Sequence, residues 1–198
     1  MENGEVLISG YRIPYSYAAM PGVKKNLVII DIKGDEIWQK LRAADRINEW
    51  KINVYIPHFI AGSKEVVDSE PSSNLDSAGE FYYNFVQAMR LKNVMLMGEG
   101  INADVALKCS MIHPERFSNV IAIDGTGYDG YAEELYRVQK PVLLVWGGAR
   151  GYRETMIGQS YHDLIAGSVF KVFDNSKRPL EDSTDRFFSM LKNYIAVD

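Results

Sequence analysis

The sequence contains a single cysteine, Cys109, and only three histidines, His58, His113 and His162. One cysteine rules out an intramolecular disulfide and any cysteine-based metal site. The histidines are scattered, with no H-x-x-x-H or comparable ligand spacing, so neither a metal nor another cofactor is expected. Positive charge is also in short supply. The 22 Lys and Arg face 26 Asp and Glu, a formal charge of -4, and no basic stripe offers nucleic acid an electrostatic footprint. No segment approaches the roughly 20 apolar residues that a bilayer-spanning helix requires. The opening "MENGEVLISGYRIPYSYAAM" lacks the basic head and long apolar stretch of a secretory leader. The expectation is a cytoplasmic chain with no membrane or nucleic-acid partner.

What is present is an ordinary globular composition: 198 residues, 46% hydrophobic and 24% charged, enough for one domain over 1–198 with a real core. Short β-rich runs recur at Val6–Ser9, Tyr11–Tyr17, Leu27–Ile32, Ile52–Ile56, Asn93–Met97, Val120–Ile123, Val142–Trp146 and Val169–Phe173. From the third onward they are continuous rather than alternating, which suits parallel strands covered on both faces. Helical spacing connects them. Ile37, Leu41 and Ala44 share one face, Phe81, Phe85, Ala88 and Met89 another, and Val105, Cys109 and Ile112 a third. A last helix carries Phe187, Met190, Leu191 and Tyr194, with Asp182 or Ser183 placed as its cap. Gly62–Ser77, rich in Ser, Asp and Glu, reads as a surface loop, and only a short helix at Ala132–Arg137 separates the sixth and seventh strands. The pattern predicts a three-layer α/β fold with an N-terminal hairpin.

The chemistry concentrates in "MLMGEGINADVA", residues 95–106, an apolar strand entering a glycine turn and a helix. Gly98, Gly100 and Ala103 fit the G-x-G-x-x-G/A turn of a dinucleotide-binding domain, with Asp124 about 20 residues on as the ribose-binding acid. The same residues fit the G-x-S-x-G nucleophile elbow with its serine missing. Three or four strands precede this turn, whereas a dinucleotide turn ordinarily opens its domain.

Along nearly its whole length the chain resembles the α/β-hydrolase superfamily, most closely the short lidless abhydrolase-domain-containing proteins. "NLVIIDIKGDEIWQKL" is similar to the third strand, oxyanion loop and first helix. "HPERFSNVIAID" is similar to the helix end and sixth strand, and "KPVLLVWGGARG" to the strand that carries the acid. "FKVFDNSKRPLEDSTDRFFSMLKNYI" is similar to the last strand, histidine loop and final helix. The resemblance implies a three-layer α/β-hydrolase fold, a mostly parallel sheet of about eight strands, and no cap domain.

Acyl transfer on that fold needs a hydroxyl or thiol at the elbow, an imidazole to take its proton and a carboxylate to orient the imidazole. The resemblance places Gly100 at the nucleophile position, Arg150 at the acid position and Lys177 at the histidine position. The His-Gly expected after the third strand reads Asp31-Ile32. Residues 97–103 hold no Ser, Cys or Thr, and 174–183 hold no His. Cys109, Ser110, Ser160 and the three histidines are the remaining catalytic candidates. Cys109 and Ser110 read as packing residues, His113 as structural, His162 as solvent-facing, and His58 as a residue within reach of the pocket.

Two cations beside a helix N-terminus call for negative charge between them. One source is internal, with Glu99, Asp31, Asp124 or Glu181 sealing the site. The other is a bound phosphate or carboxylate, with Gly100 and Ile101 as its floor and Tyr128 at the mouth. Three function classes follow: a non-catalytic binding module for a small anionic ligand or protein partner, a serine-type hydrolase or esterase with an unrecognised constellation, and an NAD- or nucleotide-binding domain.

Overall fold

The computed structural model describes residues 1–32, 50–58, 75–127 and 132–196. The helix expected around Ile37, Leu41 and Ala44, and the pocket candidate Tyr128, lie outside the described residues. So does most of the loop expected over Gly62–Ser77, whose last three residues instead open a helix.

Eight strands form one sheet: β1 (Glu2–Ile8), β2 (Tyr11–Ala18), β3 (Asn26–Ile29), β4 (Asn53–Pro57), β5 (Val94–Glu99), β6 (Phe117–Ile123), β7 (Val142–Gly147) and β8 (Val169–Phe173). Their spatial order is β1-β2-β4-β3-β5-β6-β7-β8. The β1–β2 hairpin pairs antiparallel and joins β4 antiparallel, while every pairing from β4 to β8 is parallel. Among the described residues the α-helices are α1 (Leu75–Ala88), α2 (Ile101–Ile112), α3 (Tyr152–Leu164), α4 (Pro179–Asp182) and α5 (Thr184–Ala196). Between β6 and β7 the described chain holds only a 3-10 turn at Ala132–Arg137.

The apolar runs β3 to β7 are buried on both faces, because successive side chains point to opposite sides of a covered sheet; β8, at the sheet edge, is not, and leaves Val169 and Lys171 exposed. Val28, Leu96, Val120, Ala122 and Leu144 face one core. Their neighbours Leu27, Met95, Ile121 and Leu143 face the other. The first core is closed by α1, α2 and part of α3. The second is closed by α5, whose Phe187, Leu191 and Ile195 recur every four residues as one inward stripe. Ser183 starts α5 by accepting the Phe187 N–H on its carbonyl at 2.8 Å.

Helix α2 is buried nearly all round, from Asn102 to Leu107 and again at Cys109–Met111, because it lies between the sheet and α1. Gly79 permits that approach: a Cβ there would lie 3.3 Å from the Cys109 Cα. This placement makes Cys109 and Ser110 interior residues. The Cys109 thiol meets the Gly79 carbonyl at 3.2 Å, and burial pushes its pKa well up. Ser110 donates back to the Leu107 carbonyl at 2.7 Å.

Strand β3 ends at Ile29, short of the expected Ile32. Ile30 still donates its N–H to the Met97 carbonyl at 2.8 Å, after which the chain leaves the sheet. The Asp31 N–H then finds the Tyr82 hydroxyl at 3.0 Å, and the Ile32 N–H finds the Asn102 side-chain oxygen at 3.0 Å. These bonds tie the chain leaving β3 to α1 and to the start of α2.

Candidate functional site

Gly100 sits between the end of β5 and α2 with φ 62° and ψ -129°, a region that side-chain-bearing residues enter only at a cost. Its N–H is held by the Ile123 carbonyl at 2.9 Å, and its carbonyl accepts the Ala103 N–H at 3.0 Å. The strand therefore turns sharply into the helix at one residue whose backbone conformation suits glycine. A Cβ on Gly100 would meet nothing within 4 Å. The backbone thus aims position 100 into open space.

Gly98 has the opposite environment. A Cβ there would fall 2.2 Å from the Asn102 carbonyl oxygen, so the first turn of α2 lies directly on it. In the dinucleotide pattern the first glycine makes the tight turn and the second lets the backbone approach the pyrophosphate. Here Gly98 is covered by its own helix.

A cavity of about 560 Å³ opens over Gly100 at the C-terminal ends of β5, β6 and β7. Ligand crevices of open α/β sheets form at such strand ends. Its floor includes Ile101 and Asn102, and its charged lining alternates Arg150, Arg153 and Arg178 with Glu99, Asp124 and Glu154. Ile101 and Asn102 precede the first described bond within the helix, so their N–H groups add the positive end of the α2 dipole.

Asp124 follows β6 in a left-handed conformation, φ 46°. Its side chain is 1% exposed and lies 3.6 Å from Nη1 of Arg150, which is 40% exposed. One carboxylate oxygen accepts the Gly147 N–H at 2.8 Å, and the other, Oδ2, is buried without a hydrogen-bond donor among the described residues. Burial, reinforced by Glu99 and only partly offset by Gly147 and Arg150, pushes this carboxyl up to about 6.

Glu99 is paired with Arg178 rather than with Lys177. Arg178 donates through Nε at 3.2 Å and Nη2 at 3.3 Å, a two-pronged contact, and also pairs with Glu181. The turn before α4 decides which side chain enters. Asp182 accepts both the Lys177 and Arg178 N–H groups, at 2.9 and 3.0 Å. Lys177 is left exposed and does not line the cavity.

Asp31, Glu99, Gly100, Ile101, Asp124 and Arg150 therefore have different fates. All except Asp31 line the cavity. Asp31 is buried beside Tyr82 at the end of β3.

Behind the cavity wall stands a charged residue that periodicity does not single out. Asp104 on α2 is fully buried and receives the Tyr161 hydroxyl at 2.7 Å, the Thr126 N–H at 3.1 Å and the Thr126 hydroxyl. Tyr161 in turn accepts the Gly127 N–H at 3.0 Å. Burial raises the Asp104 pKa, and the Thr126 and Tyr161 bonds oppose that rise. The network fixes residues 126–127, which follow Asp124, against α2 and α3.

None of the three histidines lines the cavity. His58 lies 2.7 Å from the Ser16 hydroxyl near the antiparallel end of the sheet. His113 stacks on Tyr83 and meets Glu80 at 2.9 Å. His162 is half-buried against Phe170 and contacts Ser168 at 2.7 Å, so it is less exposed than its mid-helix position suggests. Among the described residues no cluster of three or more His, Cys, Asp or Glu side chains is placed to hold a metal.

No protein-family model matches the sequence, and a search of curated proteins returns no match. Solved structures do match in shape. A "predicted CIB-like hydrolase" from Thermoplasma acidophilum superposes with a TM-score of 0.81 at 15% identity, covering 98% of this chain and 97% of that one. An α/β-hydrolase enzyme from the sediment metagenome of the Mar Chica lagoon, Morocco, gives 0.76 at 14% identity, covering 92% and 94%. A carboxylesterase from Bacillus subtilis gives 0.74 at 13% identity, covering 99% and 91%. At such identities the likeness carries fold alone. With the sheet order and the elbow at Gly100, it establishes that this chain has the α/β-hydrolase fold.

Proposed function

We propose that the chain is a non-catalytic binding module on the α/β-hydrolase fold, taking a small phosphate- or carboxylate-bearing ligand in the cavity over Gly100. The observation that carries this reading is the open space at Gly100, bordered by three arginines and the start of α2. A glycine there supplies no attacking atom, so the covalent route of acyl transfer has no starting group at the elbow. It does let a ligand approach the backbone closely.

The arginines are not equally engaged. Arg178 is held by Glu99 and Glu181, and Arg150 faces Asp124 at a distance too long for a strong hydrogen bond. Arg153 lines the cavity with no acidic partner among the described residues. Arg153 and Arg150 are thus the cations a ligand anion would meet, with Arg150 supplying a planar fork of donors.

Thermal-shift titration with sulfate, phosphorylated metabolites (adenine nucleotides among them) and carboxylates tests the reading. A ligand at about 100 times its Kd stabilises the folded state by about 2.7 kcal/mol. The expected result is a rise in melting temperature that Arg150→Ala and Arg153→Ala reduce. No rise with any of these anions, or a rise unaffected by both substitutions, refutes it.

The Ser16–His58 contact is what favours a serine hydrolase with a different constellation, since 2.7 Å is within the reach of a nucleophile and its base. Ser16 is buried and also donates to the Asn3 side chain at 2.9 Å, which favours a structural role. A fluorophosphonate probe decides between the two. Labelling abolished by Ser16→Ala would establish the hydrolase.

A further inference from the structure

We propose that Asp124 is a built-in competitor for the site, so that an anion enters the cavity together with a proton taken up by Asp124. This rests on the binding reading above and concerns how the same site is controlled.

The geometry is that of an internal anion held incompletely. Asp124 reaches Arg150 at 3.6 Å, close enough to offset its charge and too far to saturate its donors. One Asp124 oxygen is spent on the Gly147 N–H, and the other is buried with no donor among the described residues. A carboxylate so placed is costly to keep charged. A ligand anion at Arg150 adds a second negative charge beside it, and two such charges in a confined site favour protonation of one.

The surrounding charges push the same way or are already committed. Glu99, at the end of β5, adds negative charge to the Asp124 environment. Arg178, on the loop before α4, is turned to Glu99 and Glu181. Asp104, on α2, is enclosed by Thr126 and Tyr161. Arg153 and Glu154 of α3 complete the cavity wall. No histidine lines the cavity, and burial holds the Asp124 carboxyl at about 6 in the free protein.

When Asp124 is protonated, Arg150 is left with its charge uncompensated and its side chain partly exposed to the cavity. The bound state is then an Arg150–anion pair beside a neutral Asp124. The proton comes from solvent and returns to it on release, and no covalent bond changes.

Sulfate is a suitable probe because its own charge is constant from pH 5 to 8, unlike that of phosphate. Calorimetric titration should show sulfate affinity falling at least about tenfold from pH 5 to pH 8, as the protonated fraction of Asp124 falls. At pH 7, titrations in two buffers of different ionisation enthalpy should show close to one proton taken up per sulfate bound. Asp124→Asn should bind at pH 8 as tightly as the wild type does at pH 5. Glu99→Gln and Glu154→Gln should keep the pH dependence.

A change smaller than about threefold, no proton uptake, or a dependence that disappears in Glu99→Gln or Glu154→Gln overturns the proposal. The proton-uptake measurement uses the wild type and decides the matter even if Asp124→Asn does not fold. Sulfate binding that ignores pH removes only the coupling. Absence of sulfate binding at every pH removes the binding reading as well.

Discussion

Replacing Gly98 by alanine tests whether the elbow is held by steric contact between strand and helix. A Cβ at this position would stand 2.2 Å from the Asn102 carbonyl oxygen, 2.3 Å from its carbon and 2.7 Å from the Ala103 nitrogen. All three are backbone atoms, so no side chain can swing aside. The first turn of α2 must retreat by about 1 Å to reach ordinary contact. That shift pulls Asn102 from the Ile32 N–H and loosens the tight bond between Gly100 and Ala103.

Overpacking of this kind costs about 3 kcal/mol, the upper end of its usual range. For a domain of this size the melting temperature should drop by about 6–12 °C. Gly100→Ala is the matched control: its Cβ has free space, and only the φ of 62° opposes it, at about 1–2 kcal/mol. Urea unfolding of the two variants should rank Gly98→Ala as the more damaging. The steric argument is refuted if Gly98→Ala melts like the wild type, or if Gly100→Ala is the less stable of the two.

Removing Arg178 strips a nearly buried Glu99 of its partner. With Arg178 itself half exposed, Arg178→Ala should cost about 1–2 kcal/mol in urea unfolding, whereas Lys177→Ala should stay within about 0.5 kcal/mol. Tyr161→Phe leaves Asp104 and the Gly127 N–H each short of a partner and should cost about 2 kcal/mol, read by calorimetry. Asp124 holds its proton in the folded state up to a pH near 6, while the unfolded chain releases it near 3.8. Its contribution therefore favours unfolding as pH rises through that window, by about 3 kcal/mol in all. Asp124→Asn should remove this loss, so the gap in stability between variant and wild type should move in favour of the variant from pH 4 to pH 7.

The five inner strands, β3 to β7, were readable because a strand buried on both faces is apolar at nearly every position. Leu27–Ile29 and Val142–Trp146 satisfy that condition without help from their neighbours. Helix α5 was readable for a related reason, since its single stripe at Phe187, Leu191 and Ile195 faces one layer only. Helix α3 carried little such signal. Only Gly158 and Tyr161 of it are buried, so its role in the cavity wall does not show as an apolar face. Arg178 escaped notice by one residue. Counting back from the final helix lands on Lys177, and only the Asp182 carboxylate, by gathering both N–H groups, settles which side chain turns inward.

By itself, the sequence determined the layered α/β architecture, the hairpin ahead of it and a glycine at the turn from β5 into α2. Those follow from local periodicity and from which atoms a residue possesses. The tertiary structure alone decided that Gly98 is closed while Gly100 is open, and that Glu99 meets Arg178 while Asp124 meets Arg150. It also decided that one oxygen of Asp124 is left without a donor among the described residues. These depend on distances between residues far apart in the chain, and on how far burial weakens water's hold on a charge. Neither quantity is written in the order of the amino acids.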